Sequence, residues 1–208
     1  FSSDLILLYL SVSNRPSTSE KMTLTGVNSK ALKKGDPEPP LEPGTLRIYN
    51  MRYCPWAERA LLWAAAQGVP AEIINVNLAE KPEWYVERTE TGKVPATEVN
   101  GQVVIESGII PEYLDGIFPE KAILPTDPFT RAQQRILSEK LAPVSSLVYG
   151  FVALFKGADE SVKKEKIDAT AAFFDQAEKL LTDDYFAGAT PGLPDWLWYP
   201  FFERLAAF

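Results

Sequence analysis

Between Leu46 and Ile117 short apolar runs alternate with stretches at helical spacing. Leu46-Arg-Ile-Tyr49 is compact and strand-like, and it leads through a turn into Ala57, Ala60, Leu61, Ala64 and Ala65, a small apolar stripe. Gly68 with Pro70 beyond it marks the end of that helix. Ala71 to Asn77 reads as a second strand, and strand, helix, strand in that order implies a right-handed parallel pair. A short amphipathic turn follows around Pro82-Glu-Trp-Tyr85. Ala96–Val99 and Gln102–Ile105 flank Asn100-Gly101, the strongest short hairpin signal. Glu106-Ser107 then reads as the cap of a helix carrying Ile109, Ile110, Tyr113, Leu114 and Ile117, so the order is β-α-β-α-β-β-α.

After Phe118-Pro119 only helical patterns remain. Leu124-Pro-Thr-Asp-Pro128 is a linker that ends in an Asp-Pro helix start. Arg131 to Phe155 is one long pattern that Pro143 should kink or split. Lys163 to Leu181 carries a stripe at Ile167, Ala171, Phe174, Ala177 and Leu181. Asp195 opens a last helix through Trp196, Leu197, Phe201, Phe202 and Leu205, with no cap before Phe208, as expected of a truncated C-terminus. Upstream, Thr23 to Gly44 is polar and holds Pro37, Pro39, Pro40 and Pro43, the composition of an extended arm and not of a folded unit. Residues 1–21 precede the first methionine, Met22, and their run Leu5 to Leu10 lacks the basic flank of a signal peptide; they read as a disordered or non-native stretch. The expected organisation is an extension over 1–44, an α/β domain over 45–119, a linker over 120–127 and an incomplete all-helical domain over 128–208.

Composition narrows the chemistry. A net charge of −7 gives no reason to bind nucleic acid, and no run of about 18 apolar residues is present to span a membrane. The single cysteine excludes an internal disulfide and fits a reducing, cytoplasmic setting. The absence of histidine removes Ser-His-Asp and Cys-His catalysis and the commonest zinc ligand, so no metal is expected.

That cysteine, Cys54, stands where the first strand turns into the first helix, with Pro55 at the first helical position. A thiol at a helix N-terminus faces unpaired backbone N–H groups and the positive end of the dipole, which favour the nucleophilic thiolate. Arg52 and Arg59 either add positive potential near Cys54 or form surface ion pairs. Tyr53 and Trp56 are core aromatics or line an acceptor pocket.

The stretches Leu46 to Arg59, Lys81-Pro-Glu-Trp84, Lys93-Val-Pro95, Ile105-Glu-Ser107, Pro111-Glu-Tyr-Leu-Asp115 and Pro200-Phe-Phe-Glu-Arg204 together resemble the omega class of the cytosolic glutathione transferases, over about residues 22–208. The resemblance implies the glutathione transferase fold: a thioredoxin-like α/β domain followed by an all-α domain, usually in a homodimer. It implies Cys54 as the catalytic thiol, forming a mixed disulfide with glutathione, where other classes place tyrosine or serine. It assigns glutathione to Lys81, Val94, Pro95, Glu106 and Ser107, with Tyr53 and Trp56 toward the acceptor. Pro95 would be a cis-proline that exposes the Val94 backbone to the cysteinyl part, as an added strand would. Ser107 would take the γ-glutamyl carboxylate, Glu106 its ammonium and Lys81 the glycyl carboxylate. Where family members carry Ser or Thr as the cap three residues before Asp195, this chain has Gly192, a weaker but tolerated cap.

The implied activity is thiol transfer and dehydroascorbate reduction on a small electrophilic or oxidised acceptor, with methylarsonate reduction as a further activity. Position 57 is alanine, so a second glutathione must resolve the Cys54 disulfide. The alternative is a non-catalytic ligand-binding or chloride-intracellular-channel-like protein of the same fold. Arg47, Arg52, Glu58 and Arg59 leave that reading no apolar span within 46–68.

Overall fold

A computed structural model describes residues 24–154, 157 and 159–206, so the expectation for residues 1–21 lies outside the described residues. Strand β2 (Leu46–Asn50) is buried at all five positions, which explains its unbroken apolar reading. It lies at the centre of a five-stranded sheet of order β1-β3-β2-β4-β5. β3 (Ala71–Asn75) runs parallel to it with Ile48 opposite Ile73, and β4 (Ala96–Val99) runs antiparallel with Ile48 opposite Thr97. The Asn100-Gly101 turn, with both residues at positive φ, joins β4 to β5 (Gln102–Ile105). Helices α1 (Pro55–Gln67), α2 (Glu83–Thr89) and α3 (Ile110–Ile117) complete this part. Trp63 of α1, fully buried, donates its indole N–H to Asp115 of α3 at 2.7 Å, fixing one helix against the other.

The segment before β2 corrects the reading of it as an arm without folded structure. β1 (Leu24–Thr25) pairs in parallel with β3 on the sheet edge. Gly26 follows at φ +78°, where a Cβ would stand 2.4 Å from the Ile73 carbonyl oxygen, so only glycine fits. Leu32 exchanges backbone hydrogen bonds with Asn75 and Asn77 at 2.8 Å each. The proline stretch that follows is short of N–H groups and is held by its carbonyls: buried Arg47 donates to Pro39 and Pro40, and Trp84 donates to Asp36 at 3.0 Å. Arg88 pairs with Glu38 as well. The side-chain amide of Asn75 donates toward the carbonyls of Gly26, Val27 and Ser29 and the Ser29 hydroxyl, while its oxygen accepts from Asn50.

The chain divides into two compact units between Lys121 and Ala122. In the second, α4 (Pro128–Leu141) starts from Asp127, whose carboxylate accepts from the Thr130 N–H at 2.7 Å. Pro143 separates α4 from α5 (Val144–Leu154), as expected of an interior proline. α6 (Glu160–Leu180) buries Thr170, Phe173 and Ala177, whereas Ile167 is 56% exposed, so the expected stripe is displaced. Adjacent Phe173 and Phe174 allow stripes about 100° apart, and Phe173 stacks on Phe202 at 6.0 Å. α7 (Leu193–Ala206) opens two residues before Asp195, whose carboxylate accepts from the N–H groups of Gly192, Phe186 and Ala187.

Candidate functional site

Cys54 occupies the N-cap of α1 with Pro55 at the first helical position, and its carbonyl accepts the first helical bond from Glu58 at 3.0 Å. Tyr53 before it is held at φ +68°, a left-handed conformation that non-glycine residues seldom adopt. The turn leaves Tyr53 84% exposed while Cys54 is 8% exposed. Cys54 belongs to a buried cluster with Tyr49, Ala57, Ile74, Val76, Tyr85, Val94 and Ala96. The thiol and the Val94-Pro95 segment, 40 residues away in sequence, therefore share one cluster, and the Val94–Pro95 bond is cis.

The loop leading to Val94 is held from α2. The Tyr85 hydroxyl donates to the Lys93 carbonyl at 2.6 Å, and the Thr89 hydroxyl oxygen accepts from the Gly92 N–H at 3.1 Å. Lys81, half-buried, lays its stem over the same loop: a Cβ on Gly92 would stand 2.9 Å from Lys81 Cδ and 3.3 Å from Nζ. From within the cluster, Tyr49 donates to Glu98 at 2.7 Å, and Glu98 also pairs with Arg88 at 2.6 Å. Burial pushes the Tyr49 and Tyr85 hydroxyls above their ordinary range, which keeps both as protonated donors at neutral pH.

Ser107 does not cap a helix. Glu106 stands at φ +73° and its carbonyl accepts from Ile109 and Ile110, so α3 begins at Ile110 with no side-chain cap. The Ser107 hydroxyl oxygen, in a residue 8% exposed, instead accepts from Arg59 Nη1 at 3.0 Å. Arg59 is 3% exposed, which overturns its reading as a surface ion-pairing residue. Its guanidinium lies 4.5 Å over the Trp56 ring, so Trp56 gives one face to Arg59. Burial draws Arg59 down to about 9, against the opposing attraction of Cys54, so it stays cationic at neutral pH. Arg52 is exposed and donates to the Ser29 carbonyl at 3.3 Å.

The structure thus places Cys54 and Val94 in one buried cluster with Pro95 next in the chain, carries Lys81 to the loop that precedes Val94, and sets Glu106 and Ser107 on the turn after β5. The sequence reading missed Arg59 as the partner of Ser107; its one local signal was the three-residue spacing from Trp56, which places both on one helix face. Among the described residues no group of three or more His, Cys, Asp or Glu side chains is placed to hold a metal ion.

Residues 44–116 match the family model described as glutathione S-transferase, N-terminal domain. Over 184 residues the chain is 52% identical to glutathione transferase omega-1 of Caenorhabditis elegans, a match covering 88% of this chain and 73% of that protein. The chain belongs to the omega-class glutathione transferases. Glutathione S-transferase omega-1 of Sus scrofa is 38% identical over 189 residues, covering 88% of this chain and 77% of that one. The crystal structure of glutathione transferase Omega 3C from Trametes versicolor superposes with a TM-score of 0.69 at 27% identity, covering 78% of this chain and 70% of that one. As in that fold, the omega-class chain carries a thioredoxin-like domain with a mixed sheet followed by a helical region. No helix among its described residues is long and apolar enough to cross a membrane.

Proposed function

We propose that this omega-class transferase is a glutathione-dependent thiol transferase and dehydroascorbate reductase with Cys54 as its nucleophile. The observation that carries the reading is the thiol at the α1 N-cap, packed in one cluster with Val94 before cis-Pro95. An extended tripeptide laid along the Val94 backbone brings its central sulfur toward Cys54, as β-augmentation requires. Lys81 takes the glycyl carboxylate, the Val94 N–H and C=O bind the cysteinyl residue beside Pro95, Glu106 takes the ammonium and Ser107 the γ-glutamyl carboxylate. Tyr53 and the open part of Trp56 face the acceptor.

In thiol transfer the Cys54 thiolate attacks the glutathionyl sulfur of a mixed disulfide. A Cys54–glutathione disulfide forms, the old S–S bond breaks, and the acceptor leaves as a thiolate that takes a proton from water. A second glutathione thiolate then attacks the glutathionyl sulfur, releasing glutathione disulfide and free Cys54. With dehydroascorbate two reduced glutathiones supply two electrons and two protons and end as one disulfide, and the acceptor leaves as ascorbic acid, which releases one proton to become ascorbate. Methylarsonate is a further acceptor for the same cycle. The protein acts as a homodimer in the cytoplasm.

The test is glutathione-dependent dehydroascorbate reduction by the chain and by Cys54→Ala, each checked for folding by circular dichroism. Activity in the parent and only the background rate in Cys54→Ala is the expected result. Equal turnover by both removes Cys54 from the chemistry. Retention on a glutathione-affinity column without turnover would instead support the ligand-binding reading.

A further inference from the structure

We propose that Arg59 is the positioning residue of the γ-glutamyl subsite: it fixes the Ser107 oxygen from the interior so that the hydroxyl proton is presented outward to the ligand's α-carboxylate. The inference rests on the glutathione reading of the Glu106–Ser107 turn.

A serine hydroxyl has one donor and two acceptor positions, whereas a guanidinium has donors only. With Arg59 Nη1 donating at 3.0 Å, the serine proton has no acceptor on that side and must point elsewhere. Ser107 is nearly closed off, but exposed Glu106 precedes it and exposed Gly108 follows, so its remaining opening is at the turn surface. A carboxylate there meets an oriented O–H donor whose oxygen is already polarised by a cation, the arrangement that makes charge-assisted bonds strong. The cation itself is shielded from water, and a buried charge acts at longer range than an exposed one.

The geometry is specific to arginine. The guanidinium plane is set by the Trp56 ring at 4.5 Å, and the donor reaches across 48 residues of sequence to the turn after β5. A lysine would carry the charge without the flat face or the fixed fork. The retained proton on Arg59 near neutral pH, despite burial, is consistent with this role.

A purely structural brace and a positioning residue differ in which ligands they affect. Two probes separate them: S-methylglutathione, and its γ-aminobutyryl counterpart, which keeps the amine and the rest of the tripeptide but lacks the α-carboxylate. Titration calorimetry on the full chain should show Arg59→Gln weakening S-methylglutathione about tenfold. The carboxylate-free probe should bind the variant and the parent equally. In a Ser107→Ala background the Arg59→Gln loss should largely disappear, because the two residues act as one unit. Should Arg59→Gln prove unfolded by circular dichroism, Arg59→Lys reads the same ratio between probes, with a smaller loss confined to the carboxylate-bearing one. Equal weakening of both probes overturns the positioning role, as do fully additive losses in the double variant. Absence of binding by the parent to either probe overturns the glutathione reading of the turn and this inference with it.

Discussion

Gly92 shows how a single residue at the site can be read in contacts. Its φ of +60° puts it in the left-handed region, and the stem of Lys81 lies where a Cβ would go. An alanine there costs about 1 kcal/mol from the backbone alone. The lysine stem is flexible and moves aside, so the steric part is small, but Nζ leaves the loop that precedes Val94. Gly92→Ala should therefore lower the melting temperature modestly and weaken S-methylglutathione about as much as Lys81→Met does. Unchanged affinity with both variants would remove Lys81 from the site. At this scale sequence is informative where the cause is local. Cys54 was legible because Cys-Pro at a strand-to-helix turn determines its own surroundings. The Arg59–Ser107 bond was not, because no periodicity records which side chain another one meets 48 residues away.

Among the elements, the start of α7 explains why glycine stands in the capping position. A side chain at Gly192 would meet Ala187 Cβ at 2.5 Å and the Gln134 amide at 2.8 and 2.9 Å. The capping bond is supplied instead from α4: Gln134 Oε1 accepts from the Leu193 N–H at 3.1 Å. Asp195, raised by burial and pulled back by its backbone donors, ties Gly192, Phe186 and Ala187 to the same first turn. Gly192→Ser, which restores the more usual cap, should thus destabilise the chain by about 1–3 kcal/mol through overpacking. Gln134→Ala should cost about 1 kcal/mol for its lost bond. Together they should cost less than the sum, since the shorter side chain at 134 makes room for the serine; strictly additive losses in thermal denaturation would refute the exchange of roles. The sequence pattern located α7 to within two residues and marked Gly192 as a departure from the family. It gave no sign of the compensating residue, which sits on another helix. Likewise the phase of α6 was ambiguous between two adjacent phenylalanines, both of which reach Phe202, and the burial of Phe173 decides it.

For the molecule as a whole, the arm ahead of β2 is extended, as its prolines require, and nevertheless seated on the sheet. Arg47 is central to this: fully buried in β2, it pairs with Glu72 and donates to two proline carbonyls. Truncating this buried side chain forfeits its hydrogen bonds and leaves a void beside β2, at a cost of about 2–5 kcal/mol. Arg47→Ala should lower the melting temperature and open residues 33–43 to limited proteolysis under conditions where the parent stays intact. Cleavage at the same rate in both would mean that other contacts hold the arm. The β-α-β-α-β-β-α order and the helical second half were legible because each rests on periodicity and turn chemistry. The docking of the arm was hidden, because a segment rich in prolines reads the same whether its carbonyls face water or an arginine.

The side chain of Asn75 sets a different kind of limit on this chain. Its amide nitrogen faces four oxygen acceptors around Gly26, Val27 and Ser29, and from the same neighbourhood Ser29 accepts from Arg52, two residues before the thiol. Aspartate has nearly the same shape and differs by one heavy atom, yet it would bring a negative oxygen against three carbonyls that offer only lone pairs. In a lineage that keeps this mooring, the most conservative exchange by size is closed, and sequence drift at position 75 must pass through residues that fit the space less well.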